Sequence, residues 1–500
     1  MAHGIEITII LLFLIGMIAV GFVINRKVED LDDYLVGGRS VPTWAIVGSL
    51  FATFWGGGTV LGSAGAAYHG GILETIADPF AAGLALVLIG LFFVSPIRKL
   101  KLNSVSELYL IKYSDGVSIF ASFLMLPTFT LWTAVQIIAI GKVLNVLLGL
   151  SYSLSVIIGT AVIILYTYLG GLLAVVWTET IQMFIILLGL FILLPISIKH
   201  AGGFNEMSKY TPEGFWSFFP GRVGLIGWLT YISAWAGMAL GNIPSPDIAQ
   251  RAFSSKDEKT ARDGSIYAGL LYWIVGFVPI LFSLVAITMV SKGMIPAGIF
   301  QEDSEMVIPY LAKMLLNPVG LGIFVGSLMA TVMSSASSSI FASAVILSND
   351  IYKYSMELKG NDIGERQALK VTKACVLIIG LLSLVVSFYA ESLYDLMVFS
   401  FTILFNCLFF PFIFAFIWKK ANANGALAGM SIGFGITLIG CIIQRTFVPE
   451  PEWFFTLVPS LANFLVMVII SLLTQKSNPP KALISKDGEI IKWPELADNK

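Results

Sequence analysis

From Val117 to Ile198 the chain carries only two charged side chains, Lys142 and Glu179. A soluble fold cannot cover so long an apolar stretch, and the pattern holds throughout. Of 500 residues, 57% are hydrophobic and 12% are charged, against roughly 25% charged in ordinary soluble chains. This excludes a cytosolic globular enzyme and a disordered chain. The formal charge of -1 gives no basic footprint, so no nucleic-acid partner is expected. Cys375, Cys407 and Cys441 lie in apolar stretches without a CxxC pair, which points away from disulfides and zinc.

A helix crosses a bilayer with about 20 apolar residues. Thirteen candidate spans follow: 5–25, 43–66, 72–96, 117–147, 151–169, 172–198, 223–249, 264–291, 318–349, 367–389, 393–418, 424–444 and 454–474. Run length and the lack of strict alternation predict helices rather than a barrel. The first span has no Lys or Arg before it and Arg26 and Lys27 after it. It reads as a retained span with the N-terminus outside, not as a cleaved leader. Loops 26–42, 97–116, 250–263, 350–366 and 419–423 and the tail 475–500 then fall inside. With Lys370 and Lys373 at a span edge, they hold all 30 Lys and Arg except Lys142, Lys199, Lys209, Arg222, Lys292, Lys313 and Arg445. That bias supports a multi-pass protein with a cytoplasmic C-terminus, and the compact chain with little tail leads us to expect the cell (inner) membrane. No connection is long enough for a soluble catalytic module. The tail reads as a solvated extension.

Span 2 contains Trp55-Gly56-Gly57-Gly58-Thr59. Three glycines at mid-span cost roughly 3 kcal/mol of helix propensity relative to alanine. Close helix packing explains small residues in membranes, but three in a row predict a broken helix whose carbonyls point into a polar cavity. Span 7 is interrupted at Asn242-Ile243-Pro244-Ser245-Pro246, where each proline removes a helical donor. Two interrupted spans five apart point to inverted repeats with a binding site at mid-membrane. Five is odd, so the second half enters with opposite topology. The chain divides into a leading helix and loop (1–42), a first repeat (43–198), an external loop (199–222), a second repeat (223–418), two trailing helices (419–474) and the tail (475–500).

Span 9 holds Thr331, Ser334, Ser335, Ser337, Ser338 and Ser339. Ser334, Ser337 and Ser338 share one helical face. Such hydroxyls can bond back to their own helix or ease packing. They can equally ring a hard monovalent cation with neutral oxygens. Glu179 is either a solvated residue near the inner surface or a functional intramembrane acid. Facing Ser337 and Ser338, it would neutralise a second cation.

These motifs resemble the sodium/solute symporter family, whose members couple sodium to sugars, proline, iodide and choline. The resemblance rests on Ala52-Thr53-Phe54-Trp55-Gly56-Gly57-Gly58, on Tyr168 through Glu179, on Asp247-Ile248-Ala249-Gln250-Arg251, on Met333 through Ser339, and on Ala421-Asn422-Ala423-Asn424-Gly425-Ala426. It implies an all-α, leucine-transporter-like 5+5 inverted repeat with about thirteen transmembrane helices. It implies sodium bound by the carbonyls of Ala52, Trp55 and Thr331 and the hydroxyls of Ser334 and Ser335. A second sodium would take Ser334, Ser337, Ser338 and the acid at 179, which is Asp in most relatives and Glu here.

The resemblance also implies a solute site at the two breaks: Phe54, Gly57, Gly58 and Thr59; Phe129, Trp132 and Gln136; Tyr231, Trp235 and Met238; Phe401 and Asn406. Two glycines stand where sugar carriers have polar side chains, which argues against a polyol. The glycine run is most similar to the choline branch, although Ser245-Pro246 stands where that branch has an aromatic. Aromatics at 54, 132, 231 and 235 would cage an ammonium group. A quaternary ammonium, betaine or amino acid is therefore expected, with a small carboxylate as the alternative. The implied mechanism is sodium-driven alternating access, with no cofactor and no covalent chemistry; a monomer suffices. Proton coupling through Glu179 and a non-transporting sensor of the same fold are the rival readings.

Overall fold

The computed structural model describes residues 4–25, 36–169, 171–296, 298–361, 363–390, 392–446, 448 and 453–491. Loop residues 26–35 and tail residues 492–500, both expected inside, lie outside the described residues. Among the described residues the chain is helical, with two isolated bridges, Val41 to Ser255 and Ile484 to Ile490.

A leading helix α1 (Gly4–Asn25) precedes the first half. That half comprises α2 (Thr43–Phe54), α3 (Ser63–Gly70), α4 (Ala82–Phe92), α5 (Asp115–Leu148), α6 (Tyr152–Leu169) and α7 (Leu172–Ala201). The second comprises α8 (Leu225–Gly241), α9 (Pro246–Ser254), α10 (Glu258–Ser291), α11 (Pro318–Val345), α12 (Glu365–Ser387) and the pair α13 (Leu393–Cys407) and α14 (Phe409–Ile417), bent by 46°. The trailing helices α15 (Ala423–Gln444) and α16 (Trp453–Leu473) pack against each other.

Helix covers all thirteen expected segments. By length and composition, eight described helices qualify as membrane spans, or nine with the bent pair as one. The count of thirteen crossings stays an expectation from the sequence. Outward faces suit lipid: Phe184, Leu188 and Phe191 on α7, and Leu377, Leu381 and Val385 on α12, are exposed.

Both expected breaks are present. α2 stops at Trp55 (φ -76°, ψ 73°), where the Gly56 N–H turns back to the Phe54 carbonyl at 2.8 Å. α8 stops at Gly241, and Pro246 starts α9 as its first residue, where its missing N–H costs nothing. α3 ends at Gly71, which takes φ 68°. A β-carbon there would lie 2.2 Å from the Phe215 carbonyl in the 199–222 connection, so only glycine passes.

The structure departs from the expected span 72–96 at Asp78, which is extended (φ -142°, ψ 123°). Pro79 disfavours the helical region for the residue before it, so this span is interrupted as well. The tail is likewise no free extension. Lys112 Nζ donates to the Lys481 carbonyl at 2.8 Å, and Lys486 and Asp487 pair with Glu107 (3.1 Å) and Lys101 (2.5 Å).

α11 lies at the centre, packed on α5, α7 and α2, and α9 wedges against α2, α7 and α11. The two breaks and the serine-rich helix therefore share one buried region.

Candidate functional site

The break in α2 releases one carbonyl. Because the Gly56 N–H serves Phe54, the Ala52 carbonyl loses its partner four residues on. It accepts instead from Ser334 Oγ at 2.8 Å and Ser335 Oγ at 3.2 Å on α11. Ser334 Oγ also reaches the Thr331 carbonyl at 2.9 Å. Four of the five oxygens expected around sodium thus form one knot. Trp55, bearer of the fifth, sits in the break beside Gly56, whose ideal β-carbon would lie 3.0 Å from Ser335 Oγ. All five residues are buried. Rotating two hydroxyl protons away would turn this knot into a set of neutral oxygens suited to a hard cation.

Glu179 is 0% exposed, which removes the reading of a solvated surface acid. It meets Ser338 as expected, and Ser49 also donates to it; Thr53 Oγ1 lies 3.2 Å away. Ser337 does not join it and turns to the Ser334 carbonyl at 3.0 Å. The unforeseen member is Arg251 of α9. Its Nη2 sits 2.8 Å from both carboxylate oxygens and also donates to Ser338, while Nε reaches Ser49 Oγ at 3.0 Å. A guanidinium therefore stands where a second sodium would need the carboxylate.

Between the two breaks lies a cavity of about 10 Å³ lined by Thr53, Phe54, Asp78, Trp132, Met238, Asp247 and Phe401. That is room for one water. Of the residues expected around the solute, the structure brings together Phe54, Trp132, Met238 and Phe401, with Trp132 and Phe401 edge-to-face at 5.5 Å. Gln136 braces the break, its Oε1 accepting from the Gly57 N–H at 2.8 Å. Gly57 and Gly58 are close-approach points: added β-carbons would fall 2.2 Å from Ala139 Cβ and 2.8 Å from Met397 Sδ. Phe129 is packed in the core.

Thr59 reaches the cavity only through its bond to Asp78, and three further positions depart from the expected pocket. Tyr231 lines a separate outer cavity, and Trp235 packs on Phe218 at 5.9 Å. The expected cage of 54, 132, 231 and 235 is therefore split. Asn406 faces the trailing helices, donating to Thr437 Oγ1 and the Phe455 carbonyl at 3.0 Å each.

Asp78 and Asp247 are absent from the sequence-based site. Asp78 accepts from Thr59 Oγ1 at 2.9 Å and from Tyr272 OH at 2.8 Å. Asp247 accepts from Ser245 Oγ and from the Ile248 N–H at 2.8 Å. Above them, a cavity of about 750 Å³ opens between Gly62, Ala77, Tyr231 and Tyr394 and the loop acids Asp303 and Glu305. Lys142 Nζ ties those two acids at 2.7 and 2.6 Å.

A profile of the sodium:solute symporter family matches residues 34–433. The High-affinity choline transporter 1 of Caenorhabditis elegans is 26% identical over 464 residues, which is 88% of this chain and 78% of that protein. The Sodium/pantothenate symporter of Haemophilus influenzae is 26% identical over 478 residues, 92% of this chain and 94% of that one. The osmoregulated proline transporter OpuE of Bacillus subtilis is 26% identical over 498 residues, 96% of each. Among solved structures, a Na+-coupled sialic acid symporter in a substrate-bound outward-open state matches with a TM-score of 0.79 at 20% identity, covering 96% of this chain and 99% of that one. Mhp1, a nucleobase-cation-symport-1 family transporter, in a closed conformation, matches at 0.56 and 13% identity, covering 92% and 98%. These likenesses establish the leucine-transporter-like fold. With residues 34–433 matched, the chain belongs to the sodium:solute symporter family.

Proposed function

We propose that this sodium-coupled symporter binds its sodium at Ala52, Trp55, Thr331, Ser334 and Ser335, and binds a small organic solute between the breaks of α2 and α8–α9. The observation that carries this reading is the Ala52 carbonyl, freed by the break and held at 2.8 Å from Ser334 Oγ. Sodium there ties α2 to α11 and fixes the break that walls the solute cavity. Occlusion and rocking of one helix bundle against the other then expose the site to the opposite side. With the N-terminus outside, each charge carried inward gains about 2.3 kcal/mol per 100 mV.

Glu179 is already neutralised by Arg251. In this arrangement it serves as a contact between repeats; a second sodium at Glu179 and Ser338 requires Arg251 to swing away. Relatives named for choline, proline and pantothenate leave the solute open among an ammonium compound, an amino acid and a carboxylate.

The test is thermal stability of the purified protein in sodium against equimolar potassium, with uptake into proteoliposomes. Sodium at about 100 times its Kd adds ~2.7 kcal/mol by mass action. Ser334→Ala is expected to lose most of that shift together with sodium-driven uptake. An unchanged sodium shift in Ser334→Ala would remove the site. Stabilisation by acid in place of sodium would point to proton coupling.

A further inference from the structure

We infer that Asp78 is the counter-charge for the positive end of the transported solute, so that the solute is a small organic cation rather than a carboxylate. This deepens the proposed solute site and rests on it. The sequence places two acids in the second apolar run of the first repeat, Glu74 near its start and Asp78 next to Pro79. The structure makes Asp78 extended, so its side chain leaves the helix line and enters the region between the breaks. Asp78 is 1% exposed, and Tyr272, which donates to it, is 0% exposed.

Hydroxyls orient a carboxylate but do not balance its charge. Among the described residues, no Lys, Arg or His lines the cavity, and Asp78 makes no ion pair. The one buried cation nearby, Arg251, spends its Nη2 on Glu179 and gives the Asp247 backbone only an Nη1 contact at 3.2 Å. Around the two breaks, Glu179, Asp247 and Asp78 against Arg251 leave two negative charges when all are ionised. One sodium and one organic cation bring that region to neutrality. Sodium with a carboxylate leaves it at minus two, in a medium where unpaired charge is costly.

The lining agrees with charge, and the cavity of about 10 Å³ must widen by separation of its walls before an organic cation enters. The cavity presents Phe54, Trp132 and Phe401 along with the two carboxylates, and aromatic faces attract alkylated ammonium groups. The outer cavity leads the same way. It carries Glu74, Glu302, Asp303, Glu305 and Asp395 against His69, and Lys142 pairs with two of those acids. A cleft of one sign raises the local concentration of the opposite ion. Tyr394 joins the two cavities: it lines the outer one, and its hydroxyl accepts from the Asp78 N–H at 3.2 Å.

The experiment uses the full chain in sodium buffer and reads the melting shift and competition of uptake. The probes are choline, tetramethylammonium and ethanolammonium, against 3,3-dimethylbutan-1-ol, which has choline's shape without its charge, and 3,3-dimethylbutanoate. Wild type is expected to be stabilised by at least one cation and at least tenfold less well by the alcohol and the carboxylate. Asp78→Asn should weaken the cation by tenfold or more while keeping the sodium-against-potassium shift, and Asp78→Glu should recover part of the loss. The wild-type panel stands alone should Asp78→Asn fail to fold. The inference falls if no cation stabilises wild type, if the alcohol or carboxylate matches the cations, or if Asp78→Asn binds cations as wild type does. A missing sodium shift alongside intact cation binding would instead overturn the sodium site and leave Asp78 standing.

Discussion

Arg251→Ala is expected to be among the most destabilising single substitutions in this protein, costing about 3–5 kcal/mol. Arg251 and Glu179 are both 0% exposed, and the guanidinium supplies the only cationic contacts that the carboxylate makes among the described residues. Removing it leaves a buried charge with the hydroxyls of Ser49, Thr53 and Ser338 alone. Hydroxyl dipoles do not replace a paired charge in a low-dielectric interior. Adding Glu179→Gln to Arg251→Ala removes the stranded charge and should recover a large part of the loss, since such pairs couple strongly in double-mutant cycles. Thermal unfolding of the two single variants and the double variant checks this. Arg251→Ala melting like wild type, or a double variant no more stable than the single one, would show that the pair contributes little. The pair also joins α2 and α7 of one repeat to α9 and α11 of the other, so any motion that parts the repeats at this end must first open it.

How far the sequence reaches is set by whether a signal is local. The break at Gly56–Gly58 is legible because three glycines act on the backbone where they stand. The break before Pro246 is legible because proline removes a donor on the spot. The glycines say that a carbonyl is freed and the helical register says that serines share a face, but the pairing of Ala52 with Ser334 comes from the family resemblance. The partner of Glu179 is not legible in that way. Arg251 lies 72 residues away, and only the packing of α9 against α7 brings it in. Read from the sequence, Glu179 is a lone acid inviting a second sodium; in the fold it already has its cation.

Asp78 is the instructive omission. An Asp-Pro pair inside an apolar run is a breaker signal, and an intramembrane acid is a pointer to function; both are present in the sequence. What remains hidden is its surroundings, because Thr59 comes from the broken α2–α3 segment and Tyr272 from α10. Asn406 is the opposite case. The resemblance implies a place for it in the solute wall on span 11, yet in this structure the trailing helices come close enough to claim its amide through Phe455. Those helices lie beyond the repeats, and periodicity gives no account of where they dock.

Gly57→Ala is the second substitution with a large expected effect, and it tests whether the break is held by close packing. The added methyl would start 2.2 Å from Ala139 Cβ on α5. Neither β-carbon has a rotamer to move, so the backbone must yield. The break is also pinned from the same side by Gln136, which accepts from the Gly57 N–H at 2.8 Å. Overpacking of this kind costs about 1–3 kcal/mol. Pushing the break off α5 shifts the Ala52 carbonyl relative to Ser334 and Ser335, so sodium binding should weaken by about tenfold, equivalent to ~1.4 kcal/mol. Gly435→Ala on α15 is the matched control: nothing lies within 4 Å of its added methyl. There the better helix propensity should leave stability unchanged or raise it by up to about 1 kcal/mol. Adding Ala139→Gly to Gly57→Ala makes room for the methyl and should restore the sodium shift. If Gly57→Ala keeps full sodium affinity, the contact with α5 does not set the geometry of the break. If Ala139→Gly fails to rescue it, the glycine is needed for its backbone freedom and not for the space it leaves.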